Sequence, residues 1–193
     1  MKRILISISI AVLLLSSCGF STEITSENRT LNNFTVSNGN VTWSYIYQYE
    51  SSYNERVKNW VLDNFNIKRN DGDHLVCSTN KMTLPYEEAG YSYMNILLLF
   101  RHPCTIYFTA DFKDGKFRVI VDNIIWEPQV GVTTYSGRVG LSQGAGTMDL
   151  HDVAFKGSGY NNAFVNYSSA QLNDILTYYF RPKLSKQKYN DNW

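Results

Sequence analysis

Apolar and polar residues alternate strictly from residue 41, with Val41, Trp43, Tyr45, Tyr47 and Tyr49 on one side and Thr42, Ser44 and Gln48 on the other. A period of two is the pattern of a half-buried strand. The period then lengthens. Val57, Trp60, Val61 and Phe65 recur at helical spacing, and Ser52 followed by Glu55 has the form of a capping box, so an amphipathic helix is predicted over residues 53–66. Its other face carries Arg56, Lys58, Asn59 and Asp63, a solvated surface. Asn70-Asp71-Gly72-Asp73 is a turn, and its Asp-x-Asp spacing lacks the further ligands and bidentate Glu of a calcium loop. Residues 74–82 predict a weaker strand with Leu75, Cys77 and Thr79 on one face, interrupted by residues 85–90.

The strongest local signal follows the apolar run at residues 96–100. Ile106, Phe108, Ala110 and Phe112 share one face of a strand, Phe117, Val119, Val121 and Ile125 share one face of the next, and Asp114-Gly115 between them is a two-residue hairpin turn. Residues 127–149 are rich in Gly and read as a mobile loop or irregular hairpin, with a short strand over 148–155. That Gly-rich stretch lacks the terminal Lys and Ser or Thr of a phosphate loop and fails the dinucleotide spacing. Leu172, Ile175, Leu176, Tyr179 and Phe180 form a closing helical stripe behind a second capping-box pattern, Ser168 with Gln171, and stop before Pro182. The order strand, helix, strands, helix implies an α+β domain over residues 41–182, an antiparallel sheet with two helices packed on one face.

The ends of the chain have a different pattern. Lys2 and Arg3 precede an apolar run at residues 4–15, broken only by Ser7 and Ser9, and small residues follow. These are the parts of a secretory signal, and the run is too short for a spanning helix, which needs roughly 20 residues. Leu15-Ser16-Ser17-Cys18 resembles the bacterial lipobox, which implies cleavage after residue 17 and a lipid on Cys18; the alternative is an ordinary signal with an incidental Cys. Residues 18–40 hold much Ser, Thr, Asn and Gly with scattered apolar positions and read as a flexible tether, although Leu31 and Phe34 leave room for docking. Arg181, Lys183, Lys186 and Lys188 form a basic end, with residues 183–193 as a tail that is solvated or touches anionic lipid head groups.

Removing residues 1–17 leaves 176 residues with a formal charge near −1. That is enough chain for one core, and the balance speaks against a nucleic-acid partner, which requires a basic face. Lipid on Cys18 would leave only Cys77 and Cys104, which either pair in an oxidising compartment or remain as two buried thiols.

Candidate chemistry is sparse. Asp149-Leu150-His151-Asp152 could place a general base beside a carboxylate or contribute to a metal site, but no second ligand stands at a standard spacing. His102 precedes Pro103 and reads as a turn residue, and His74 lies three positions from Cys77 without a motif. No metal site or cofactor is predicted.

Tyr45 to Tyr49 leading into Arg56-Val57-Lys58-Asn59-Trp60, the strand near Cys77, and Phe112-Lys113-Asp114-Gly115-Lys116-Phe117-Arg118-Val119 together resemble a family of uncharacterised secreted and lipid-anchored bacterial proteins with a TATA-binding-protein-like fold. The resemblance covers roughly residues 41–126. It implies the fold and supplies no catalytic residues, and the fold name does not imply DNA binding. The expectation is a lipid-anchored envelope protein, in the outer membrane with its leaflet open, that binds a small ligand or another envelope protein. The competing expectation is an envelope hydrolase or metal-dependent enzyme using His151 or Cys77.

Overall fold

The computed structural model describes residues 22–23, 29–37, 40–128, 132–135, 138–141, 146–156 and 159–183. The expected signal over residues 1–17, Cys18 and the expected tail beyond Lys183 lie outside them. In chain order the strands are β1 (Thr22–Glu23), β2 (Arg29–Leu31), β3 (Phe34–Ser37), β4 (Asn40–Gln48), β5 (Asn66–Asn70), β6 (His74–Ser78), β7 (Met82–Thr83), β8 (Pro103–Lys113), β9 (Lys116–Trp126), β10 (Val132–Tyr135), β11 (Arg138–Leu141), β12 (Met148–Asp149), β13 (Phe155–Lys156) and β14 (Gly159–Tyr160). The α-helices are α1 (Asn54–Asn64), α2 (Leu150–Ala154) and α3 (Ser169–Tyr179).

The main sheet runs β2-β3-β4-β9-β8-β6-β5, with β12 beside β9 and β7 beside β8. Every pairing is antiparallel. Its centre is the hairpin that Asp114-Gly115 predicts. Both turn residues have positive φ, 45° and 75°, and a Cβ on Gly115 would lie 2.5 Å from the Tyr49 carbonyl oxygen, so glycine is required there.

Alternation sorts the two faces of the sheet. Cys104, Ile106, Phe108, Ala110 and Phe112 of β8 are buried, while Tyr107 between them and Lys113 at the strand's end are exposed. The buried face receives both long helices: Trp60 of α1 meets Phe117 edge-on at 6.2 Å, and Phe180 at the end of α3 meets Phe108 at 4.7 Å and Trp43 at 6.2 Å. The fold is therefore α+β, an antiparallel sheet with its long helices on one face.

Several elements differ from expectation. The flexible tether over residues 18–40 is corrected at both described stretches, because β1 pairs with β14, and β2 and β3 form a hairpin that joins the main sheet. Its turn is Asn32-Asn33, both at positive φ (47° and 64°), and Phe34 is fully buried against Phe164 at 5.2 Å. The predicted helix over 53–66 starts at Asn54 behind a 3-10 turn at Ser51–Tyr53, and no side chain caps it. Asn54 Oδ1 instead accepts the N–H of Gly115 at 3.0 Å, tying the helix to the central hairpin.

The strand expected over 74–82 is two strands, β6 and β7, and β5 precedes them as an unpredicted partner. The apolar run at 96–100 ends in a 3-10 turn, Leu98–Arg101. A strand over 148–155 is corrected to β12, α2 and β13 in succession. Ser168 does not cap α3, because a π-helical turn at Phe164–Ser168 runs straight into it. Gln171 reaches across the fold instead, accepting the Leu97 N–H at 3.3 Å and donating to the Asn95 carbonyl at 2.7 Å.

Candidate functional site

β4 builds a recess in which aromatic rings, backbone and a cation converge. The odd-numbered residues of this strand face the helices. Val41, Trp43 and Tyr47 are buried in the core, while Tyr45 and Tyr49 in the same row are partly exposed. Asn173 of α3 anchors the row. Its Oδ1 accepts from Asn33 Nδ2 at 2.8 Å and from Trp43 Nε1 at 3.0 Å, clamping the β2-β3 turn and the strand to one point. One helical turn later the Tyr47 hydroxyl donates to the Thr177 carbonyl at 2.8 Å. The tyrosine row is thereby held open beside the chain that leaves α3.

The result is a cleft of about 450 Å³ lined by residues 45–49, Arg181 and Pro182. Tyr45 stacks on Trp43 at 6.0 Å with rings nearly parallel, and Tyr47 leans on Tyr45 at 4.8 Å and stacks on Phe117 at 5.7 Å. These contacts fix ring positions before any ligand arrives. Burial raises the Tyr47 phenol above its ordinary value and Tyr45 pushes it the same way, outweighing the opposite pull of Arg181, so the hydroxyl remains a donor at neutral pH. The Arg181 guanidinium has no acidic partner among the described residues. Stacking, hydrogen bonding and attraction of an anion are what such a cleft can do. A smaller recess of about 210 Å³ lies between Trp60, Phe65, Tyr178 and Tyr179, with Glu88 and Lys183 at its rim.

The residues singled out in the sequence lie elsewhere. Asp149 and Asp152 are occupied by α2: Asp149 Oδ1 accepts the Asp152 N–H at 2.9 Å and Asp152 Oδ2 accepts the Asp149 N–H at 3.2 Å, a complete capping box. His151 between them is exposed and rests on the Phe155 ring at 4.6 Å, with neither carboxylate orienting it. Among the described residues, no three His, Cys, Asp or Glu side chains come together at a metal position.

Cys77 and Cys104 are buried free thiols. Cys77 stands opposite Phe108, four residues along β8 from Cys104, which places the two about 13 Å apart and beyond disulfide reach. Burial pushes their thiols up to about 11 and about 12, the wrong direction for a nucleophile at neutral pH.

One polar cluster has no sequence motif. On the uncovered face of the sheet, His74 Nδ1 lies 2.7 Å from Asp111 Oδ1, and Arg118 donates Nε and Nη2 to Asp111 Oδ2 at 2.9 and 2.6 Å. Burial alone would raise the Asp111 carboxyl, but the hydrogen bonds and charges of Arg118 and His74 outweigh it and hold it below the ordinary value. This carboxylate is saturated with partners and suits a cross-strand tie better than a base. The only signal for it was hairpin register, which sets Asp111 opposite Arg118.

No family model matches the sequence, and no curated protein matches it. Two solved structures align with the fold. A TBP-like protein from Parabacteroides distasonis shares 10% identity over 75% of this chain and 87% of its own, with a TM-score of 0.42. A DUF4468 family protein from Bacteroides ovatus shares 11% identity over 77% of this chain and 86% of its own, also with a TM-score of 0.42. Their descriptions, a TBP-like protein and a family of unknown function, are of the kind that the sequence resembles.

Proposed function

We propose that this protein is a non-enzymatic binding module of the bacterial cell envelope, held at the membrane by lipid on Cys18, and that the tyrosine cleft beside Arg181 holds its ligand or partner protein. The observation that carries the reading is the cleft itself, where pre-positioned rings stand next to a cation that no described carboxylate neutralises. A site of this composition gains affinity from contacts already in place, since little ordering is left to oppose association. The membrane anchor keeps the cleft at the envelope and supplies no affinity of its own.

Affinity capture from intact envelopes tests the reading. The wild-type chain is expected to recover a partner or ligand that Tyr45→Ala loses, while Cys18→Ala moves the protein out of the membrane fraction without changing what it holds. Recovery that is indifferent to Tyr45→Ala, or turnover of an ester, peptide or glycan that disappears in His151→Ala, would overturn it.

A further inference from the structure

The hydrogen-bond parity of β4 decides which backbone groups are spare. Tyr49 donates its N–H to the Gly115 carbonyl at 2.8 Å, and Tyr47 and Tyr45 stand opposite Phe117 and Val119. The odd-numbered residues therefore turn their backbone groups toward β9. Ser44 donates the other way, to the Asn33 carbonyl at 3.0 Å, so the even-numbered residues face the β3 side. There β3 takes up Asn40 and Thr42, but its hairpin turns at Asn32-Asn33, and no strand among the described residues pairs with β4 beyond that point. The N–H and C=O groups of Ile46 and Gln48 consequently point out of the sheet along the cleft.

We propose that this edge takes up an extended peptide segment of a partner protein as an added strand, in line with β3, with an acidic residue of the segment at Arg181. The proposal rests on the binding-module reading and names its ligand class. Three observations converge on it. The run of residues 45–48 beyond the Ser44–Asn33 hydrogen bond is about 14 Å long, enough for a four-residue strand bonded to Ile46 and Gln48. Its side chains offer apolar surface on both sides of an incoming strand, with the half-buried Tyr45 below and Ile46, 51% exposed, above. The charge at its mouth is Arg181, which has no acidic partner among the described residues and complements an acidic side chain.

The test uses the full-length chain in detergent micelles and a capped, fluorescently labelled peptide, Thr-Val-Thr-Val-Thr-Val-Glu. Binding should slow amide hydrogen exchange at Ile46 and Gln48. N-methylation of alternate peptide residues should weaken binding by about tenfold or more, because it removes backbone bonds that side-chain contacts cannot replace. Ile46→Pro should do the same without lowering the melting temperature, since the lost N–H faces away from β9. Arg181→Glu should weaken binding of the Glu peptide and restore it for a Lys peptide.

Equal binding of the N-methylated peptide, or unchanged exchange at Ile46, overturns the proposal. So does a dimer in sedimentation that Ile46→Pro dissociates, which would make a second copy the occupant, and so does protection by soluble glycan fragments without protection by peptide. If Ile46→Pro fails to fold, the N-methylated peptide decides alone. Capture from envelopes that needs Tyr45 but survives Ile46→Pro would keep the binding module and remove strand addition; capture that needs neither removes both.

Discussion

The outermost strand β5 and the free half of β4 both present unpaired backbone, and they are built in opposite ways. β5 reads Asn66-Ile67-Lys68-Arg69-Asn70, exposed at every position but Ile67, with a register shift between Ile67 and Arg69 and an Arg69–Asp71 ion pair at 2.7 Å. Charge and a bulge are the devices that stop one edge from pairing with another chain. Tyr45-Ile46-Tyr47-Gln48 has no charge and no proline, and it keeps regular register with β9 throughout. One edge is guarded and the other is left receptive. The difference teaches that an unpaired edge in this fold is not a by-product of where the sheet ends, because the same sheet closes one edge chemically.

The largest expected effect tests whether the receptive edge is rigid. Trp43 is fully buried, bonded to Asn173 and stacked between Tyr45 and Phe180. Trp43→Ala should cost about 3–5 kcal/mol in urea unfolding. Ile67→Ala, at the partly exposed counterpart on β5, should cost much less. Equal losses at the two positions would mean that the aromatic row does not fix the β4 edge, and the contrast would reduce to composition.

A middle-sized effect concerns the row that joins the two sides. His74, Asp111, Arg118 and Ile46 stand opposite one another across β6, β8, β9 and β4. The Asp111 carboxyl is held below its ordinary 3.8, so its stabilisation is fully present above that value and is lost as pH falls through the lower folded value. Asp111→Asn should cost about 1 kcal/mol at pH 7, because its partners are half exposed and solvent screens them. The gap from wild type should close below pH 3.8. Stability curves that stay parallel down to acid would show that the cluster does not tie the strands.

Sequence periodicity reveals an element when the element is long enough to repeat. Tyr45, Tyr47 and Tyr49 mark β4, and Asp114-Gly115 marks the central hairpin, because several positions or a turn with special φ carry each signal. β2 and β3 have three and four residues, too few to alternate visibly, and their Asn32-Asn33 turn lies in a stretch whose composition suggests a tether. The two predicted capping boxes fail for local reasons: α1 is entered through a 3-10 turn and α3 through a π turn, so neither Ser stands at a helix start. The box that does form, at Asp149 and Asp152, reads as acid–base chemistry when only the neighbouring His151 is considered. The cleft was legible only in part. Its tyrosines were visible as a buried-face row, but its existence depends on where β3 stops, and no local pattern in β4 encodes that.

The smallest expected change in stability is the most direct attack on the contrast. Lys68 and Arg69 are exposed, and among the described residues Arg69 forms an ion pair with the exposed Asp71 alone, so replacing both should alter unfolding free energy by no more than about 0.5 kcal/mol. Lys68→Thr with Arg69→Val gives β5 the uncharged, β-favouring composition of the β4 edge while leaving the core untouched. If charge is what closes β5, the double variant should associate as concentration rises, seen as faster-sedimenting species that wild type lacks. If the bulge suffices, the variant stays monomeric at every concentration, and guarding must be assigned to backbone shape. That outcome would also sharpen the reading of β4, whose regular register would then matter more than its lack of charge.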